Sequence, residues 1–389
     1  MREVSAAIPT QRRGGAENGS WPRVRLGEVC NINMGQSPES STYNSSSEGL
    51  PFYQGNADFG TIHPKPRVWC SAPVKIAKAG DLLISVRAPI GALNFANERC
   101  CIGRGLAALS ALPNVEYGFL YYALKSKVAE LNAKGTGSTF KAINKRALSA
   151  ISIVLPPLAI QRRIAAKLDR LCDIVAKRKN QLSQLNQLVK SRFVEMFGDL
   201  ARNQNQWGIV AFDDVAEIEG GLTTDFEKYS NCPHIGIDSI EKDTGTLKGY
   251  RTVSEDKLSS GKYHFTARHI IYSKIRPNLN KVALPAVEGL CSADAYAILP
   301  KKNVERIFLA FVLRSRCFLD YIIPLSGRSG MPKANQVQVR GFQFPLPPLA
   351  LQREFAAFVE KVDKLAFAVR ESLESAEKLY RQQLSEAFA

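Results

Sequence analysis

The stretch Pro156-Pro157-Leu158-Ala159-Ile160-Gln161-Arg162 occurs twice in this chain, because Pro347-Pro348-Leu349-Ala350-Leu351-Gln352-Arg353 repeats it 191 residues later. Proline cannot continue a helix, yet it is tolerated in a first turn, where its missing N–H would be unpaired anyway. Each copy therefore reads as a helix start, and each opens a long run with helical apolar periodicity. The chain becomes a globular segment, a long helix, a second globular segment and a second long helix, which is an internal duplication.

From Ile164 the pattern is a heptad seam. Ile164, Leu168, Leu171, Val175, Arg178, Leu182, Leu185, Val189, Arg192 and Met196 follow one another in alternating steps of four and three. Arg178 and Arg192 interrupt the apolar series, but their long stems can cover apolar surface while the charges reach water. Adding 191 to each position gives Phe355, Val359, Val362, Ala366, Val369, Leu373, Ala376, Tyr380, Gln383 and Ala387, so the phase is kept. Two matched seams of roughly 40 residues, about 60 Å at 1.5 Å per residue, are expected to pair with each other. The second globular segment leaves the C-terminal end of the first helix and returns to the N-terminal end of the second. Parallel helices would require it to span about 60 Å, while a domain of this size has a radius of gyration of about 14 Å. Antiparallel pairing is predicted, with the globular domains at opposite ends of the helical pair.

The predicted boundaries are a polar leader over 1–20, expected to be disordered, a globular domain over 21–155 and the first long helix over 156–197. A linker over 198–205, a second domain over 206–345 and the second helix over 346–389 follow. Formal charge is +16 in total, distributed as +7 over 21–155, +6 over the first helix, +3 over 206–345 and −1 over the second helix, with the remaining +1 in the leader. Such an excess suits a polyanion, most simply nucleic acid. No run approaches the roughly 18 apolar residues of a membrane span, and the first residues lack the apolar core of a signal peptide. The expectation is a cytoplasmic protein. Eight cysteines without a C-x-x-C spacing read as reduced, mostly core thiols.

Within the first domain, Gln36 to Gly49 reads as an exposed loop and Gly80 to Pro89 as a turn, a short apolar strand and a basic exit. Tyr117 to Leu131 has helical spacing, and Gly135 to Thr139 forms a loop ahead of Lys141, Lys145 and Arg146. The second domain echoes this frame. Trp207, Val210 and Val215 answer Trp21, Val24 and Val29; His269 to Pro277 answers the run through Pro89; Gly327 to Gly330 precedes Lys333 and Asn335 as Gly137 and Ser138 precede Lys141 and Asn144. Most other residues differ, as two readers of different ligands would require.

The repeated Leu-Pro-Pro-Leu-Ala-Ile/Leu-Gln-Arg opening a long helix, the Gly/Ser loop before it, and the runs Gly80 to Arg87 and Ile270 to Pro277 resemble the specificity subunit of a type I restriction-modification system. The resemblance covers the chain from about Trp21 to its last residue. It implies an α+β protein: two mixed α/β target recognition domains separated by two long helices that form an antiparallel coiled coil. Each domain would read one half of a bipartite double-stranded DNA site, and the helices would hold two methyltransferase subunits. Those partners bind S-adenosylmethionine and methylate adenine, and restriction subunits using ATP and Mg join them for cleavage. No cofactor would belong to this chain.

Two other readings are a self-sufficient DNA-cleaving enzyme and a coiled-coil structural adaptor. The first would draw on Asp243 and Glu255-Asp256-Lys257, an E-x-K triplet of a kind that arises often by chance. The sequence has no phosphate loop of the G-x-x-x-x-G-K-S/T type and no N/D-P-P-Y/F methyltransferase motif. His264 and His269 lack nearby cysteines for zinc and read as ordinary histidines, so neither catalytic residues nor metal ligands are expected. Recognition would fall to basic and amide side chains: lysine and arginine neutralise phosphates, and arginine, asparagine and glutamine can bond two base-edge groups at once. Loop context and the family pattern select Lys65, Arg67, Arg87, Ser138, Lys141, Lys145 and Arg146 in the first domain. In the second they select Lys274, Arg276, Asn278, Lys281, Arg328, Lys333 and Asn335.

Overall fold

The computed structural model describes residues 21–137, 141–327 and 330–389. The predicted leader, Ser138 and Arg328 lie outside the described residues. The chain divides into two compact units, one of 1–176 with 373–389 and one of 177–372.

The first unit is built on a four-stranded antiparallel sheet in the order Cys30–Met34, Leu106–Ala111, Leu82–Ser85, Leu93–Phe95. Leu109 faces Ile32 on one neighbour and Leu82 on the other. Successive side chains of a strand point to opposite faces, and here both faces are covered. Leu82 and Ile84 join the helices Tyr117–Ser126 and Val128–Ala133 in one core, while Leu83 packs with Tyr53, Cys100 and Ile102 of a second sheet. Burial on both faces explains why Gly80 to Pro89 shows a continuous apolar run and no alternation. Cys100 and Cys101 point opposite ways, into separate clusters. All eight cysteines are free, and burial pushes the Cys100 thiol up to about 12. The helical spacing from Tyr117 to Leu131 resolves into two helices that break at Lys127, where Ser126 donates back to the Ala123 carbonyl at 2.8 Å.

The second unit repeats this plan. Its four-stranded sheet runs Ala216–Ile218, Ala295–Pro300, Ile270–Ser273, Val282–Ala283, and the helices Arg306–Arg314 and Arg316–Leu325 cover one face. The five-stranded sheets share four strands: Gly289–Cys291 runs parallel to Pro233–Ile235 as Cys100–Ile102 does to Leu50–Tyr53. The fifth strand differs. It is Tyr43–Asn44 beside Trp69–Cys70 in the first unit and Leu222–Thr223 beside Lys262–Phe265 in the second, at opposite edges of the common frame.

The long helices are Leu158–Phe197 and Leu349–Phe388, of 40 residues each. The carbonyls of Pro157 and Pro348 receive the first-turn N–H groups of Gln161 and Gln352, so each proline pair lies just outside its helix. Leu168, Leu171 and Val189 are buried, while Ile164, Val175, Arg178, Leu182, Leu185, Arg192 and Met196 are partly covered. On the second helix Phe355, Val359, Val362, Ala366 and Ala376 are buried, and Val369, Leu373, Tyr380, Gln383 and Ala387 partly so. Pairing is antiparallel in both units. Lys167 donates to Gln383 in the first, and Arg192 Nη2 meets Glu354 Oε1 at 3.0 Å in the second. The seam also enters each domain core: Phe193 lies 5.3 Å from Phe355 and 6.0 Å from Phe308, and Phe388 lies 5.1 Å from Phe119. Among the described residues no helix is long and apolar enough to cross a membrane.

Candidate nucleic-acid interface

In each unit the central strand ends in a turn held by a serine. Ser85 Oγ donates to the carbonyls of Arg87 and Pro89 at 2.8 and 3.0 Å, and Ser273 Oγ donates to the Ile275 carbonyl at 3.1 Å. The turn is then stitched to the loop ahead of the next short helix. The Ala88 N–H donates to the Lys141 carbonyl and the Ile143 N–H to the Val86 carbonyl. In the second unit the Arg276 N–H donates to the Pro332 carbonyl and the Ala334 N–H to the Lys274 carbonyl. This ladder brings Arg87 beside the Lys141 loop and Arg276 beside the Lys333 loop, all four side chains being exposed. Lys145 and Arg146 follow on the first turn of Lys145–Ser149, also exposed.

The matched hydrogen bonds align the two turns residue by residue: Ser85 with Ser273, Val86 with Lys274, Arg87 with Ile275, Ala88 with Arg276. The frame is constant and the basic positions are permuted. Arg276 adopts φ +50°, and so does Asn280. This left-handed region is costly for a residue with a Cβ, and such strain tends to be kept where it aims a functional group. Asn278, between them, is exposed.

Lys274 stands apart because it is only 8% exposed. Its ammonium lies 4.8 Å from the Tyr296 ring centroid and 5.8 Å from that of Tyr263, the cation–π arrangement that desolvation strengthens. Burial, and then the neighbouring Lys333 charge, push its pKa down.

The remaining predicted residues are partly committed elsewhere. Arg67 pairs with Asp58, which also accepts from the Gln54 N–H, on a loop separate from the Arg87 turn; Lys65 is exposed on that loop. Lys281 Nζ donates to the Ile237 carbonyl at 2.7 Å. Asn335 caps the helix Gln336–Arg340, its Oδ1 accepting from the Gln338 N–H at 2.8 Å. Sequence reasoning missed the two glutamines of the repeated stretch, which are buried and bonded across to the domains. Their recurrence was the available signal.

The triplet considered for cleavage is structural. Glu255 accepts from the N–H and hydroxyl of Thr252 in a capping box, Asp256 holds His234 Nδ1 at 2.7 Å, and Lys257 ends the turn in a left-handed conformation. A cavity of about 930 Å³ in the second unit is lined by residues such as Phe311, Arg314 and Asp363 and by none of the predicted DNA contacts.

The sequence model of the type I restriction modification DNA specificity domain matches this chain twice, over residues 18–187 and 204–376. The chain belongs to this family. It is 29% identical over 407 residues to the type I restriction enzyme EcoDI specificity subunit of Escherichia coli, covering 95% of this chain and 88% of that one. The HsdS subunit from Thermoanaerobacter tengcongensis is 54% identical over 41% of this chain and 39% of its own, with a TM-score of 0.36. The type I restriction-modification S subunit from M. genitalium shares the fold over 96% of this chain and 97% of its own, at a TM-score of 0.64 and 15% identity. As in the family, two recognition domains alternate with two long helices. Specificity subunits of this kind are the recognition components of their systems.

Proposed function

We propose that this chain is the non-catalytic specificity subunit of a type I restriction-modification complex, reading a bipartite double-stranded DNA site with one domain per half-site. The observation that carries the reading is the turn built twice on one hydrogen-bonding plan, with its basic side chains in different positions. Arg87, Lys141, Lys145 and Arg146 serve one half-site, and Arg276, Asn278 and Lys333 the other. Exposed cations neutralise phosphates and set register, while a strained, aimed Arg276 is suited to a base edge. The committed residues Arg67, Lys281 and Asn335 then shape the surface around these contacts, as Lys274 does from within.

Two methyltransferase subunits dock on the helices. Supporting this, Ile174 and Leu379 are exposed in the first unit and Leu188 and Leu365 in the second. Ile174 and Leu365 are repeat equivalents, as are Leu188 and Leu379. Each immediately precedes a seam residue and so lies about 100° around its helix from the seam. An apolar pair that recurs outside a filled seam is what a repeated partner surface looks like. S-adenosylmethionine, ATP and Mg belong to the methyltransferase and restriction partners, and the complex acts in the cytoplasm.

Exchanging residues 21–155 for the corresponding domain of another family member tests the modular reading. Sequencing of methylated sites from the reconstituted complex should show one half-site altered and the other retained. Alteration of both, or of neither, would sink it.

A further inference from the structure

The glutamine of the repeated stretch is buried in both copies, Gln161 at 1% exposure and Gln352 at 0%. Glutamine is mostly an exposed residue, so two buried on first helical turns need an account. Gln161 Oε1 accepts from the Glu116 N–H at 2.9 Å, and its Nε2 donates to the carbonyls of Asn114 and Pro156 at 3.0 and 2.8 Å. Gln352 does the same in the second unit, accepting from the Glu305 N–H at 2.8 Å and donating to the Pro347 carbonyl at 2.7 Å.

Both glutamates are themselves helix caps. Glu116 accepts from the Phe119 N–H and Glu305 from the Phe308 N–H, opening Tyr117–Ser126 and Arg306–Arg314. Each glutamine therefore joins the first turn of a long helix to the first turn of a domain helix packed on the four-stranded sheet. Every partner is a backbone atom, so the joint survives when surrounding side chains diverge. Apolar packing at the same junction is non-directional. The amide bonds have direction, and they resist rotation that packing alone would allow.

Resting on the proposed half-site reading, we infer that Gln161 and Gln352 are positioning residues: each fixes the angle at which its reading domain leaves the long helix, and thereby the half-site spacing the subunit accepts. The two copies are not equal: besides its bond to the preceding proline carbonyl, Gln161 makes two bonds across to the domain and Gln352 one.

The test uses the full chain assembled with its methyltransferase subunits, carrying Gln161→Leu or Gln352→Leu. Methylation is measured on duplex pools with fixed half-sites and a spacer of native length, or one base pair shorter or longer. The wild type should favour the native spacer by about tenfold or more, and the leucine variants by no more than about threefold, with base preference unchanged in both half-sites. Val339→Ala, which opens the core of the second domain without touching the joint, should keep the native preference. A leucine variant with the wild-type spacer ratio would overturn the inference, as would equal broadening by Val339→Ala. Where a leucine variant does not fold, Gln→Glu at that position, which keeps the acceptor and loses the donor, is judged by the same ratio. Absence of any spacer preference in the wild type would instead defeat the bipartite reading itself.

Discussion

His269 shows how much a single side chain can depend on its surroundings. Its Nδ1 accepts from the Thr266 N–H at 3.0 Å, which leaves the ring proton on Nε2, facing Glu219 at 3.3 Å. Burial pushes its pKa below the ordinary 6.5. The unfolded chain takes up a proton on this ring as pH falls through 6.5, and the native state resists doing so, so the native state loses stability below that pH. Thermal unfolding followed from pH 7.5 to 5 should show this loss, and His269→Gln should flatten it. An equally steep decline in the variant would refute the assignment. Residue type alone could not reveal such commitments. Asn335 looks like a base reader until its Oδ1 is found capping a helix, and a lysine is expected in water until Lys274 is found over two tyrosines. The cap is made with Gln338, three residues on, while the tyrosines around Lys274 lie 11 and 22 residues away on other strands.

The long helices were legible because their information is local and periodic. A seam that keeps its phase through Arg178 and Arg192, and again 191 residues later, fixes which face is covered. The strands were harder to read. Leu82–Ser85 is buried on both faces, so it lacks the alternation that marks a strand with one face in water. The clasp by Gln161 was illegible for a third reason, since its partners lie 45 and 47 residues upstream. Leu168 packs where seam and domain core merge, at 1% exposure. Leu168→Ala should therefore cost about 2–5 kcal/mol of stability, measured by denaturant unfolding. A loss within about 0.5 kcal/mol, the range of an exposed position, would show that the site is not a packed junction.

At the scale of the molecule, duplication makes a prediction about assembly. If the recurring exposed pair outside the seam holds one methyltransferase subunit per copy, Leu188→Glu with Leu365→Glu should remove one partner and leave the other. The mass of the purified complex, read by native mass spectrometry, distinguishes loss of one subunit from loss of both or none. Either of the latter outcomes would rule out a separate docking surface in each unit. Charge differs between the helices, +6 on the first and −1 on the second, so each proposed surface, drawing one residue from each helix, has a more basic side and a less basic one.

The first long helix is closed at both ends. Pro156 and Pro157 bar it from winding back into the first domain, and Gly198, at φ +65° with its N–H on the Val194 carbonyl, turns the chain out of the helix at the other end. Residues added to its middle have no slack to disappear into. An extra turn must lengthen the strut by about 5.4 Å, and three or four residues must also rotate whatever follows it. Length and twist in this part of the chain are thus geared together, and only whole-turn changes alter one while nearly sparing the other.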